Sequence, residues 1–193
     1  GVDCGTGIAP MMEAARLIAL SGAKPKRTIL FVGFAGEEFG LLGAKAFCER
    51  HKDKLGKIAN LFNRDGGPTP PVGISVPEAM YDDFVEICKP IKEINPEYPF
   101  EVTVAQPRKK PTTMGGTDAS VFAVKGVPTY GFREQDFKGY NFNYGEIWHT
   151  ERDLYTKSIP EYMEHTSVVT AIVALGVANL KHQLSREGMY TDQ

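Results

Sequence analysis

Residues 28–43 read TILFVGFAGEEFGLLG. Ile29, Leu30, Phe31 and Val32 are apolar without alternation, and the run continues to Phe34. Such a run predicts a strand buried on both faces, in a sheet covered by helices on either side. It leads into two adjacent carboxylates, Glu37 and Glu38, directly after Gly36. Paired acids at the carboxyl end of a central strand are costly to hold there unless something uses them. Adjacent side chains diverge at a turn or helix start, so one can hold a metal ion while the other handles protons. Taken alone, the pair reads more simply as solvated acids capping the helix that starts near Leu41. The flanking segments decide between the two.

Upstream, GVDCGTG at residues 1–7 is glycine-dense and places Asp3 just ahead of a helical pattern. Ile8, Met12, Ala15 and Ala19 carry that helix, which Gly22 and Pro25 end, and Pro10 is expected in its first turn. Downstream, residues 41–55 predict a helix, and the apolar run 58–63 ends at Arg64-Asp65-Gly66-Gly67, again an acid and glycines after a strand. A short strand over 72–76 precedes an amphipathic helix over 78–94, with Met80, Phe84, Ile87 and Ile91 on one face. A strand over 100–105, a Pro- and Lys-rich loop, a short helix capped by Thr117 or Asp118 and a strand over 127–132 follow. Segment 133–148 lacks periodicity and is rich in aromatics, among them Phe142, Tyr144 and Trp148, as a functional loop would be. Residues 159–184 predict a long closing helix. This alternation predicts an α/β fold, a three-layer αβα sandwich around a mixed, mostly parallel central sheet, as one domain over 1–193.

With 193 residues, 42% of them hydrophobic, one sizeable core is expected. A net charge of −2 gives no case for a nucleic-acid partner, and the short basic patch at Arg108-Lys109-Lys110 reads as a solvated loop. No apolar run approaches the ~20 residues a membrane span needs. Cys4, Cys48 and Cys88 are an odd number without metal-knuckle spacing, so no disulfide framework is indicated.

Asp3, the Glu37-Glu38 pair, Asp65 and His149, in Trp148-His149-Thr150, each stand at a strand end or in a loop beside one. Carboxylate and imidazole ligands without thiolates suit Zn²⁺ in a catalytic site that keeps a position for water. A further carboxylate beside the metal can take a proton from that water and pass it to a leaving group. His51, His165 and His182 lie within helical patterns and read as packing or surface histidines.

On these motifs the chain resembles the co-catalytic di-zinc exopeptidases, a family that includes zinc aminopeptidases and carboxypeptidase Q. GVDCGTGIAPMMEAARLI resembles their Asp-containing helix start, KPKRTILFVGFAGEEFGLLGA their strand-Glu-Glu signature and LFNRDGG their next metal aspartate. GGTDASVFAVKGVPTYGF and IWHTERDLYTK resemble later blocks, in unbroken order to about residue 180. The resemblance implies Asp3, Glu38, Asp65 and His149 as metal ligands, Glu37 as general base, a peptide substrate and a secreted or periplasmic location. It implies Asp3 bridging two zinc ions in a longer protein, and a cis peptide bond after Asp3. Cys4 departs from the Asp or Asn usual at its position, and reads as a small buried residue. The histidine of a His-x-Asp segment has no counterpart before Asp3. The expectation is therefore a catalytic domain lacking its amino-terminal portion, with an upstream segment of the same polypeptide as partner and at most one zinc held tightly by these residues. Glutaminyl-peptide cyclases, which use one zinc held by an Asp, a Glu and a His, are the alternative within enzymes. A non-enzymatic binding domain of the same fold is the alternative outside them.

Overall fold

In the computed structural model, which describes residues 1–191, helix α1 (Val2–Leu20) is followed by helix α2 (Leu42–Arg50) and a 3-10 turn (Leu55–Lys57). Strand β1 (Pro71–Val76), helix α3 (Glu78–Ile94) and strand β2 (Glu101–Val104) form a parallel crossover. Helix α4 (Ala119–Ala123), strand β3 (Phe132–Glu134), helix α5 (Tyr144–Ile147), a second 3-10 turn (Tyr155–Lys157) and helix α6 (Pro160–Asn179) complete the order. The sheet is small and mixed, ordered β2-β1-β3, with β3 antiparallel to β1. Ile74 pairs with Val102 on one side and Phe132 on the other.

Helical spacing explains how α3 packs. Met80, Phe84, Cys88 and Ile91 are buried along one face and close the main core with Ile74, Val76, Phe100, Val169 and Val173. Ile87, expected on that face, turns partly aside toward α6. Gly176 admits it there, since a Cβ at that position would lie 2.5 Å from the Ile87 Cγ2. Helix α6 is apolar nearly all round because it is covered on two sides, by α3 and by Ala14 and Ile18 of α1. A second core joins α2 and α4 through Ala44, Cys48, Val121 and Phe122, with the Phe34, Phe47 and Phe122 rings 5.7–5.8 Å apart.

The expected central strand at 29–34 differs from what forms. It has no ladder partner among the described residues, and its burial alternates, with Leu30 and Val32 67% and 37% exposed. Extended backbone alternates its side chains. Ile29 and Phe31 pack against the α1–α6 cluster, while the opposite face is left open. Residues 58–63 likewise form no strand and have one backbone bond across, Leu61 N–H to the Pro128 carbonyl at 2.8 Å. Beside it the Asn60 side chain takes both polar backbone groups of Tyr130, at 3.1 Å each. A side chain thus stands in for a neighbouring strand, and Pro128 has no N–H to give. That is why the strand expected over 127–132 appears only as Phe132–Glu134. The fold is α/β and the sheet is mixed, as expected, but it is small, with one parallel and one antiparallel pairing rather than mostly parallel.

Three helix boundaries also shift. The Asp3–Cys4 peptide bond is cis and neither residue has helical φ/ψ, so continuous helix begins at Gly5 and Pro10 falls in the second turn rather than the first. Helix α2 stops at Arg50, and a turn and the 3-10 segment carry the chain to Lys57. Helix α6 ends at Asn179, short of Leu184, because the Arg27 guanidinium takes the Ala178 and Leu180 carbonyls at 3.4 and 2.7 Å.

Candidate metal centre

Local backbone geometry aims each side chain. Asp3 lies in the non-helical start of α1, where the Asp153 carboxylate accepts the N–H groups of Val2 and Asp3. Asp153 follows His149 by one turn of chain, so a single carboxylate ties the Asp3 segment to the histidine segment. Glu37 and Glu38 sit on a tight turn rather than on a helix. The Glu37 carbonyl accepts from Gly40 and Leu41 N–H at 2.9 and 2.8 Å, and Gly36 and Leu41 flank the turn with φ of 69° and 61°. The glycine takes that conformation without cost, whereas Leu41 does so against its Cβ. His149 also has positive φ, 54°, a strained conformation of the kind concentrated at functional sites.

Asp3, Glu38 and His149 offer ligand atoms that all lie within 4.8 Å of one another. The His149 Nε2 is 2.8 Å from a Glu38 carboxylate oxygen, and the Trp148 ring leans on the imidazole with centroids 4.4 Å apart. Glu38 and His149 are exposed and Asp3 is half-buried, so the group opens to solvent. Asp65 does not join this group. It stands beside it, half-buried, and burial followed by Asp3, Asp118 and Glu38 raises its pKa. Glu37 is raised in the same way, by burial first and then by Asp65, Glu38, Asp118 and Asp3.

Three neighbours carry weight that the sequence did not signal. Asp118, expected as a helix cap, makes no capping bond, is 8% exposed and leaves its Oδ1 without a partner. Its proximity to Glu37, Asp65 and Cys4 is felt in the pKa of all three. Tyr144, from the aromatic loop, stands near Asp3, and burial followed by the acids Asp3, Asp65 and Glu38 pushes its phenol well above the ordinary range. Cys4 is half-buried, not fully buried as expected, and burial and the surrounding acids raise its thiol to about 11. In the sequence, the aromatic density of 133–148 pointed toward Tyr144 and the departure from the family pattern toward Cys4, and neither gave its surroundings.

This donor set fits a divalent cation. Neighbouring carboxylates raise both Glu37 and Asp65, and a cation among them would relieve that repulsion. Two carboxylates and an imidazole, open to water and without thiolate, match three-ligand catalytic zinc more closely than a closed structural site.

Comparison with known proteins agrees. Mouse Carboxypeptidase Q is 30% identical over 185 residues, covering 96% of this chain and 36% of that protein. A probable zinc metalloprotease of Pyrenophora tritici-repentis is 44% identical over 64 residues, 33% of this chain and 14% of that protein. The crystal structure of a peptidase M28 precursor from Shewanella amazonensis SB2B superposes with a TM-score of 0.74 at 28% identity, over 95% of this chain and 38% of that one. The chain thus spans little more than a third of the Carboxypeptidase Q relatives' length. The model of Peptidase family M28 matches residues 2–173, and the chain belongs to that family.

Proposed function

We propose that this chain is the catalytic domain of a zinc-dependent exopeptidase, an aminopeptidase or a dipeptidase of the Carboxypeptidase Q type, acting on peptides outside the cytoplasm. The observation that carries the reading is the convergence of Asp3, Glu38 and His149, with Glu37 beside them, in a chain of family M28. The names of its relatives, Carboxypeptidase Q and a probable zinc metalloprotease, support the reaction class and the metal. The location, secreted or periplasmic, rests on the family resemblance.

Asp3, Glu38 and His149 would hold one zinc ion, and Asp3 with Asp65 would contribute to a second. Bound there, zinc supplies Lewis acidity that makes water a usable nucleophile at neutral pH. Glu37 takes the proton from the attacking water and delivers it to the amine that leaves. Glu37, on the turn beside the Glu38 ligand, is placed for both halves of that transfer. The second ion needs at least one ligand beyond Asp3 and Asp65, since catalytic zinc takes about three from protein. We place that ligand in the remainder of a polypeptide of the relatives' length. There 29–34 and 58–63 would be central strands of a three-layer sandwich.

Glu37→Gln in a polypeptide of that length tests the assignment. Turnover of dipeptides and amino-acyl amides falls at least ~10²-fold while bound metal is unchanged. Near-normal turnover with the metal in place refutes the role of Glu37.

A further inference from the structure

Arg64 precedes Asp65 and is among the most enclosed charged groups of the chain, its side chain only 12% exposed. Its guanidinium spans several segments. One nitrogen bonds the Glu134 carboxylate on β3 at 2.6 Å. Another donates to the Gly67 and Thr69 carbonyls at 2.9 and 2.7 Å, closing the loop that follows Asp65. Its Nε reaches the Thr6 carbonyl at 3.4 Å, in the first turn of α1.

That last contact has a cause in the sequence. In a helix the Thr6 carbonyl would be bonded by the N–H of the residue four positions on, which is Pro10 and has none. Pro10 therefore frees an acceptor, and Arg64 is the donor that meets it. Two further contacts join the same segments. The Thr6 hydroxyl lies 2.9 Å from the Gly66 carbonyl, and a Cβ on Gly7 would stand 2.4 Å from the Arg64 carbonyl, so only glycine allows the approach. Asp3 thus lies three residues from one side of this junction and Asp65 next to the other.

Stability alone does not account for the ion pair. The pair is largely withdrawn from water, Arg64 12% and Glu134 29% exposed, and taking both charges out of solvent offsets much of their attraction. Buried ion pairs of this kind often contribute little net stability and fix geometry instead. From the junction we infer that Arg64, held by Glu134, is a positioning residue that sets the separation of the Asp3 and Asp65 carboxylates for the metal centre. The inference rests on the zinc reading above.

The test uses Arg64→Lys, which keeps the charge but not the five-donor fork, and Glu134→Gln, which leaves the guanidinium without its anion. Amide hydrogen exchange is followed in the metal-free chain, and zinc affinity is measured by competition with a chromophoric chelator. In both variants exchange rises in residues 2–7 and 66–69 while β1 and α3 keep their protection. Zinc affinity falls about 10–100-fold, the range for loss of groups that orient ligands. Unchanged exchange in 2–7 and 66–69 overturns the inference, and so does a uniform rise across β1 and α3, which marks a merely structural role. Loosened segments with unchanged zinc affinity overturn it as well. An unsubstituted chain that binds no zinc fails the zinc reading instead, and the positioning role falls with it.

Discussion

His165 makes the stability of this chain fall in mild acid by an amount that can be worked out. The residue lies on α6, 1% exposed, with its Nδ1 2.8 Å from the Asn95 side-chain nitrogen and its ring stacked on Tyr98 at 4.0 Å. Its Nε2 is buried beside the Pro71 carbonyl but does not reach hydrogen-bond geometry. Burial, the largest influence, brings the imidazole down from 6.5 to about 4. The Pro71 carbonyl and Glu97 pull the other way and Lys138 adds to the depression. The sign follows from proton counting. Above 6.5 neither the folded nor the unfolded chain protonates this ring. Between 6.5 and about 4 only the unfolded chain does, so stability is complete above the unfolded value and is lost as pH falls through that window. At about 1.4 kcal/mol per pKa unit the full loss approaches ~3 kcal/mol, of which roughly 2 kcal/mol falls between pH 7 and pH 5. Carboxylates titrate too, in both directions, so the measurement is a difference. Urea unfolding of the unsubstituted chain and of His165→Gln, at pH 7 and pH 5, isolates the histidine. His165→Gln is less stable at pH 7 by about 1–3 kcal/mol, from the lost ring stacking, and the gap between the proteins narrows by about 2 kcal/mol at pH 5. A gap of constant size refutes the neutral, buried histidine.

Two packing predictions follow from the cores. Phe84→Ala removes a fully buried ring from the main core, and lowers unfolding free energy by about 3–5 kcal/mol in urea melts with little change in m. Gly176→Val drives a side chain into Ile87, and costs about 1–3 kcal/mol as overpacking, read by the same melts. Ile87→Ala in the Gly176→Val background recovers part of that loss.

The elements most legible in the sequence were those whose stability is local. Helix α3 spans Glu78–Ile94 because four buried side chains recur at helical spacing and Pro77 precedes the first turn. Strand β1 follows from a short apolar run between Pro71 and Pro77. Residues 29–34 show the limit. Apolar periodicity reports what a segment prefers to bury, but ladder hydrogen bonds need a neighbour, and no pattern within a strand says whether one is present. The site divides in the same way. Acids and a histidine at strand ends were visible as residue types in a recurring context. Asp118 was not, because a Thr-Asp before a helix reads as a cap, and Tyr144 was visible only as one aromatic of a loop expected to be functional, with nothing to place it beside Asp3. The Arg64 junction depends on a carbonyl freed by a proline in another segment, a tertiary relation that spacing does not encode.

The central claim is that Asp3, Glu38 and His149 form one zinc site and that Asp65 alone does not complete another. Zinc is quantified per chain after dialysis, for the unsubstituted 193 residues, for His149→Ala and for Asp65→Asn. The account predicts one tightly held ion in the unsubstituted chain, none in His149→Ala and one in Asp65→Asn. Two tightly held ions in the unsubstituted chain, or one that survives His149→Ala, would contradict it.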